Sequence, residues 1–185
     1  MEILPGDFTI TKYGLFARLV EVKDAQFIVN LRSSEHAKFM NTVPNDVARQ
    51  EQWIMDYKQR EKQGLDYYFI FYKDDKPIGL YRIYDIRGKL FSSGSWVFTN
   101  DSPLGAAFVA QVICREIAFE QLGLEYEEVA TAVHVDNTNV LRFNLYMGMK
   151  DIGRAMTEKG EYISLGLSKE DFEKYKNRAI RMAKF

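Results

Sequence analysis

The sequence predicts an α+β fold. We expect a mixed, mostly antiparallel sheet flanked by helices, with its fourth and fifth strands parallel and splayed. Three observations carry this. Three strand-like runs follow one another from Tyr67 to Thr99, joined by Lys73-Asp74-Asp75-Lys76 and Arg87-Gly88-Lys89, turns short enough to make them antiparallel. An apolar helix then separates the strand ending at Thr99 from the strand Val129–Val135, and a helical crossover makes those two strands parallel neighbours. A final hairpin pairs Met149–Ala155 with Glu161–Leu167. A parallel pair inside an antiparallel sheet is a place where two strands splay apart.

The elements follow in order. Leu15–Val20 reads as the first strand. Asp24 caps a helix with Ala25, Phe27, Ile28 and Leu31 on its apolar face. That helix frays through Arg32-Ser33-Ser34-Glu35-His36 and resumes at Lys38-Phe39-Met40, and Thr42–Asn45 with Pro44 is a break. Asp46 caps the next helix, Lys58, Arg60 and Lys62 complement its C-terminal dipole, and Gly64 ends it. Tyr67–Tyr72 is apolar on both faces and too short for a helix, which marks a central strand. Pro77–Ile86 alternates. Leu90–Thr99 is interrupted by Ser92-Ser93-Gly94-Ser95, the composition of a bulge. The apolar helix runs from Gly105 to Leu122 and stops at Gly123. Asn137 caps a short helix closed by Gly148, and Ser168-Lys169-Glu170-Asp171 is a capping box for a last, basic helix.

At 185 residues the chain fits one domain, 1–185. Apolar residues at 46% and charged residues at 28% describe an ordered globular protein. The net charge of −1 gives no pull toward nucleic acid or an anionic membrane. Cys114 is the single cysteine, so no internal disulfide forms, and a reducing cytoplasm fits. No charged-then-apolar pattern reads at the start of the sequence and no apolar run reaches membrane length, so neither a leader nor a membrane span is expected. His36 and His134 are far apart and make no metal-binding spacing with Cys114, so no metal is expected. No Walker motif or nucleophile elbow is present.

The helix start at Gly105-Ala106-Ala107 admits two readings, close packing of the helix against a neighbour or an anion site. Small residues admit a close approach to the backbone. The first N–H groups of a helix lack internal partners, and the positive end of its dipole suits a phosphate. This reads as a pyrophosphate cradle for a nucleotide-tailed cofactor.

With this element order, two motifs resemble the GNAT family of acetyl-CoA-dependent N-acetyltransferases over nearly the whole chain. The family's cofactor loop, Arg/Gln-x-x-Gly-x-Gly/Ala, corresponds to Ser102-Pro103-Leu104-Gly105-Ala106-Ala107, with Ser102 in place of the leading Arg/Gln. The family's Asn-(x)10-Gly-Phe corresponds to Asn137 with Gly148 eleven positions on and Met149 for Phe. The pattern is most similar to two subgroups, one acting on N-terminal amines of ribosomal proteins and one on amino-sugar nucleotides.

The resemblance implies acetyl-CoA as co-substrate. Backbone groups of Trp96, Val97 and Phe98 would pair with its pantetheine arm. N–H groups of Leu104, Gly105, Ala106 and Ala107 would hold its pyrophosphate. Asn137 would bond the pantetheine, cap its helix, or do both. A strand N–H, that of Val97, would meet the developing oxyanion. The glutamate that the family often places on the fourth strand is absent. His134 is the substitute base, with Asp85 and Glu35 as outside candidates. The family's tyrosine acid, seven residues after the Asn, is Asn144 here, which donates a hydrogen bond but no proton. Tyr81 and Tyr84 are alternative hydroxyls.

Arg32, His36 and Arg82 would meet an anionic group on the substrate, such as a nucleotide phosphate. The segments 32–45 and 157–160 would recognise the acceptor, a small-molecule or peptide amine. A homodimer is compatible with the basic last helix. The rival reading is a non-catalytic module that keeps the fold and the acyl-CoA groove.

Overall fold

The computed structural model describes residues 2–34 and 45–185. Its elements are β1 (Thr9–Lys12), β2 (Leu15–Leu19), α1 (Ala25–Arg32), α2 (Val47–Lys62), β3 (Tyr67–Lys73), β4 (Lys76–Arg87), β5 (Leu90–Phe98), α3 (Ala106–Glu116), β6 (Tyr126–His134), α4 (Thr138–Tyr146), β7 (Lys150–Thr157), β8 (Gly160–Ser168), α5 (Lys169–Tyr175) and α6 (Asn177–Met182). The strands form one sheet in the order β1-β2-β3-β4-β5-β6-β8-β7. Every neighbouring pair is antiparallel except β5–β6. The fold is the mixed α+β arrangement the sequence predicts.

One strand went unpredicted. The residues of β1 alternate between exposed and half-buried, so no apolar run marks them. Tyr13 and Gly14, both at positive φ, turn β1 back onto β2. The predicted fourth and fifth strands are therefore β5 and β6.

The unbroken apolar run of β3 serves two cores. Tyr67, Phe69 and Phe71 face the large cluster under α3, α5 and α6. Tyr68 and Ile70 face a smaller cluster with Ile28 and Leu31 of α1 and Ile54 and Tyr57 of α2. Full burial of such a side chain is worth about 1.5–3 kcal/mol, so β3 anchors both layers.

Asp46 and Ser168 cap α2 and α5 as expected, accepting from the N–H groups of Arg49 and Asp171. Asp24 does not cap α1 through its side chain. Its carboxylate instead takes both Nη atoms of Arg18 at 2.7 Å and the Glu21 N–H at 2.8 Å. The two guanidinium donors and the Glu21 N–H occupy the carboxylate in place of an N–H of α1. The predicted long helix is α-helical only to Glu116; a π-helical turn, Ile117–Gln121, carries it to Gly123, whose φ is +67°. The predicted last helix divides at Lys176, whose ammonium is drawn to Glu116, Glu120 and Glu173. Glu35, His36, Lys38-Phe39-Met40 and the break through Pro44 lie outside the described residues. Among the described residues no helix is long and apolar enough to cross a membrane.

Candidate active site

The parallel pair is short. Leu90 pairs with Tyr126 and Phe91 with Glu127. The Ser92 hydroxyl then donates to the Glu128 carbonyl at 2.6 Å. Beyond that point β5 stays with β4 and β6 with β8, and a cleft of about 700 Å³ opens between them.

The predicted interruption of β5 is a bulge. Leu80 lies opposite Val97 and Arg82 opposite Gly94, so Ser95 and Trp96 together face one residue, Tyr81. Ser95 takes up the extra length at φ +52°. The bulge also sets which amides face the cleft. The Thr99 N–H donates to the Ile78 carbonyl at 2.8 Å, which makes that pair a bonded one. Bonded pairs alternate along an antiparallel ladder, so Leu80–Val97 is the next. The Val97 amide is thereby aimed at β4, and its side chain is buried against the smaller core. The amide of Phe98, next to it in regular pairing, points to the open edge; Trp96 belongs to the bulge, where that alternation breaks.

At the mouth of α3, Gly105 is the N-terminal cap residue, at φ +89°. The Ala106 N–H turns back to the Pro103 carbonyl at 2.9 Å. The N–H groups of Leu104, Gly105 and Ala107 have no partner among the described residues. The C-terminal segment backs this loop: a Cβ on Gly105 would lie 2.8 Å from the Ala183 Cα, and the Lys184 N–H donates to the Leu104 carbonyl at 3.4 Å. The Trp96 indole donates to the Ala107 carbonyl at 2.9 Å and packs on Phe108 and Phe143, which stack at 3.9 Å. In the residues alone this aromatic wall shows only as three scattered rings.

Of the other expected site residues, Arg32, Arg82, His134 and Asn137 come together as walls of the cleft. The Asn137 side chain makes no cap bond, so it is available to the cleft. His134 is engaged through both ring nitrogens. Its Nδ1 accepts the Asp136 N–H at 3.2 Å, which assigns the proton to Nε2, 3.1 Å from the Lys159 carbonyl. Its ring meets Tyr162 edge-on at 5.2 Å. Asn144 lies away from the cleft. It is buried, gives its amide to the Val140 carbonyl at 3.0 Å and receives Gln111 at 3.3 Å, docking α4 on α3.

Tyr81 is wholly buried, and burial pushes its hydroxyl far above the usual tyrosine range. Tyr84 does line the cleft, leaning toward Gly94; burial raises its pKa and Arg82 offsets part of that. Asp85 is exposed and pairs with Arg87. At the foot of the splay Glu127 is committed to Arg115 at 2.7 Å, both 1% exposed, and also takes the Ser93 hydroxyl. Among the described residues no group of His, Cys, Asp or Glu side chains is placed to hold a metal ion.

Residues 15–150 match the GNAT acetyltransferase domain. The chain belongs to the GNAT acetyltransferase family. Among solved structures, FdhC, described as a nucleotide-linked sugar GNAT, is 31% identical, with 96% of this chain and 99% of that one covered and a TM-score of 0.76. Mycobacterium smegmatis RimJ, solved with CoA-disulfide, superposes with a TM-score of 0.78 at 15% identity over 96% and 94% of the two chains. A putative ribosomal-protein-serine acetyltransferase from Vibrio cholerae gives 0.74 at 19% identity over 89% and 99%. At these identities the latter two show the fold alone. No curated protein matches significantly in sequence. GNAT enzymes draw their acetyl group from acetyl-CoA, and the outward Phe98 amide of β5 and the unclaimed N–H groups at α3 fit such a donor.

Proposed function

We propose that this protein is an acetyl-CoA-dependent N-acetyltransferase that passes the acetyl group directly to a primary amine of a small, amino-sugar-like molecule. The observation that carries this is the parting of β5 from β6 just past Ser92 and Glu128, beside an α3 mouth with three unclaimed amides. An extended chain laid in that gap pairs with the outward backbone of Phe98 and with the bulge at Trp96 as an added strand would. The N–H groups of Leu104, Gly105 and Ala107, at the positive end of α3, hold a pyrophosphate. Asn137 bonds the same chain from the β6 side.

Acetyl-CoA supplies the activated acetyl thioester. An outward β5 amide, that of Phe98 rather than Val97, meets the carbonyl oxygen as charge develops on it. The amine enters from the α1–α2 face, where Arg32, Arg82 and Tyr84 stand. His134 holds the β7–β8 turn through the Lys159 carbonyl and so shapes the acceptor wall. Tyr84 is the hydroxyl within the cleft that the strand geometry offers for proton traffic, as the carboxylate of Glu127 is spent on Arg115. The small acceptor is preferred over a protein N-terminus because the nucleotide-linked sugar GNAT is 31% identical over nearly both whole chains.

Release of CoA thiol on mixing the protein with acetyl-CoA and a panel of amino sugars, peptides and polyamines tests this. Turnover with an amino sugar supports it. Acetyl-CoA binding without release for any amine supports the second reading, a non-catalytic acyl-CoA-binding module, which the inward turn of Asn144 favours.

A further inference from the structure

We infer that the acceptor's amine is seated on β6, at a second bulge that Ser164 pins and that turns Thr131 into the cleft. This rests on the acetyl-transfer reading above and names the seat of the nucleophile in that site.

Val129 pairs with Leu165 and Val133 with Ile163. Ala130, Thr131 and Ala132 therefore face the one residue between those partners, Ser164. A regular strand would bury Thr131 on the face that Val129 and Val133 share. Those two valines are 7% and 2% exposed, whereas Thr131 is exposed and lines the cleft. The Ser164 hydroxyl donates to the Ala130 carbonyl at 2.7 Å, and Ser164 is itself buried. That bond holds the first residue of the bulge to β8. Thr131 has no register partner on β8, and the pairing of β6 with β5 ends at Glu127. Its carbonyl is thus outside the regular ladder, and its hydroxyl has no partner among the described residues.

Thr131 stands three residues past Glu128 on β6, and Ser95 three past Ser92 on the parallel β5. The two bulges open at the same depth, on opposite walls. The β5 wall there carries Ser95 and Gly94, with Tyr84 leaning over Gly94. Phe98, whose amide meets the thioester, is farther out along β5.

The β5 side of the cleft offers donors, an amide and guanidinium groups. An amine brings donors too, so it needs the acceptors that the β6 bulge supplies. A neutral primary amine has two N–H bonds and one lone pair. With one N–H on Thr131 Oγ1 and the other on a bulge carbonyl, the lone pair is left to face the thioester carbon.

The test compares the wild type with Thr131→Val, Thr131→Ser and Ser164→Ala, using acetyl-CoA and an amino sugar, spermidine and an N-terminal peptide. CoA release gives KM for each substrate. Thr131→Val keeps the shape of the side chain and loses its hydroxyl. For the amine turned over fastest it should lower kcat/KM by about tenfold, the worth of one hydrogen bond. The loss should fall on KM for the acceptor, with KM for acetyl-CoA unchanged. Thr131→Ser should restore most of it. An acceptor analogue with hydrogen in place of the amine should inhibit wild type and Thr131→Val equally, since it has nothing to give the hydroxyl. Ser164→Ala should raise the same KM as the bulge relaxes, and no change there overturns the part given to Ser164. An acceptor KM that Thr131→Val leaves alone overturns the inference, as does weaker inhibition of that variant by the analogue. A shift in KM for acetyl-CoA instead assigns Thr131 to the pantetheine arm and overturns it too. Each of these leaves acetyl transfer standing. Absence of turnover with every amine overturns both.

Discussion

The Ser92 hydroxyl donates to the Glu128 carbonyl at 2.6 Å and ties β5 to β6 where the cleft opens. Ser92→Ala should cost about 1 kcal/mol, the net worth of one such bond. For a chain of this size that is a fall in melting temperature of about 2–4 °C. A calorimetric scan of the variant checks it.

Gly105 is constrained twice, by its φ of +89° and by the Ala183 backbone behind it. A side chain there strains the backbone and has no room. Gly105→Ala should destabilise the fold by about 1–3 kcal/mol and weaken acetyl-CoA binding as the loop shifts. Urea unfolding and titration calorimetry on the same variant separate the two effects.

Cys114 is buried in α3, and burial pushes its thiol well above its ordinary pKa. The thiolate is the reactive form, so the native protein should resist iodoacetamide at pH 8. Reaction should begin only in denaturant, as followed by intact mass. Rapid labelling of the native chain would show that α3 opens.

His134 and Asn144 separate shape from chemistry. Asn144→Ala removes the bonds to Val140 and Gln111, so it should cost about 1–2 kcal/mol of stability while leaving kcat nearly unchanged. His134→Ala frees the turn at Lys159. It should raise KM for the acceptor and keep the shape of the pH–rate profile. A general base in that position would instead cost about a hundredfold or more in kcat and remove the acidic limb. Steady-state kinetics across pH distinguish the two.

Much of this architecture is legible in the residues. The Asp-Asp turn at 74–75, the two-faced run of β3 and the caps at Asp46 and Ser168 are local signals, and each appears as expected. The bulge was also legible, since Gly94 and Ser95 sit where a strand would otherwise carry β-branched residues. What escaped depends on partners distant in sequence. Thr9–Lys12 becomes a strand only because β2 lies beside it. The direction of the Val97 amide follows from register with β4, which the β5 sequence alone does not carry. Asn144 turns inward because Gln111, 33 residues earlier, is there to receive it. Asp66, which holds Arg82, reads as an ordinary loop carboxylate until the fold brings Arg60 and Arg82 to it.

The most direct test of the splayed-strand site is amide NMR of the labelled protein titrated with CoA. The account predicts saturable shifts and slowed exchange at the N–H groups of Trp96, Phe98, Leu104, Gly105 and Ala107, with Val97 little changed. Binding that leaves these amides unmoved, or no binding at millimolar CoA, would contradict it.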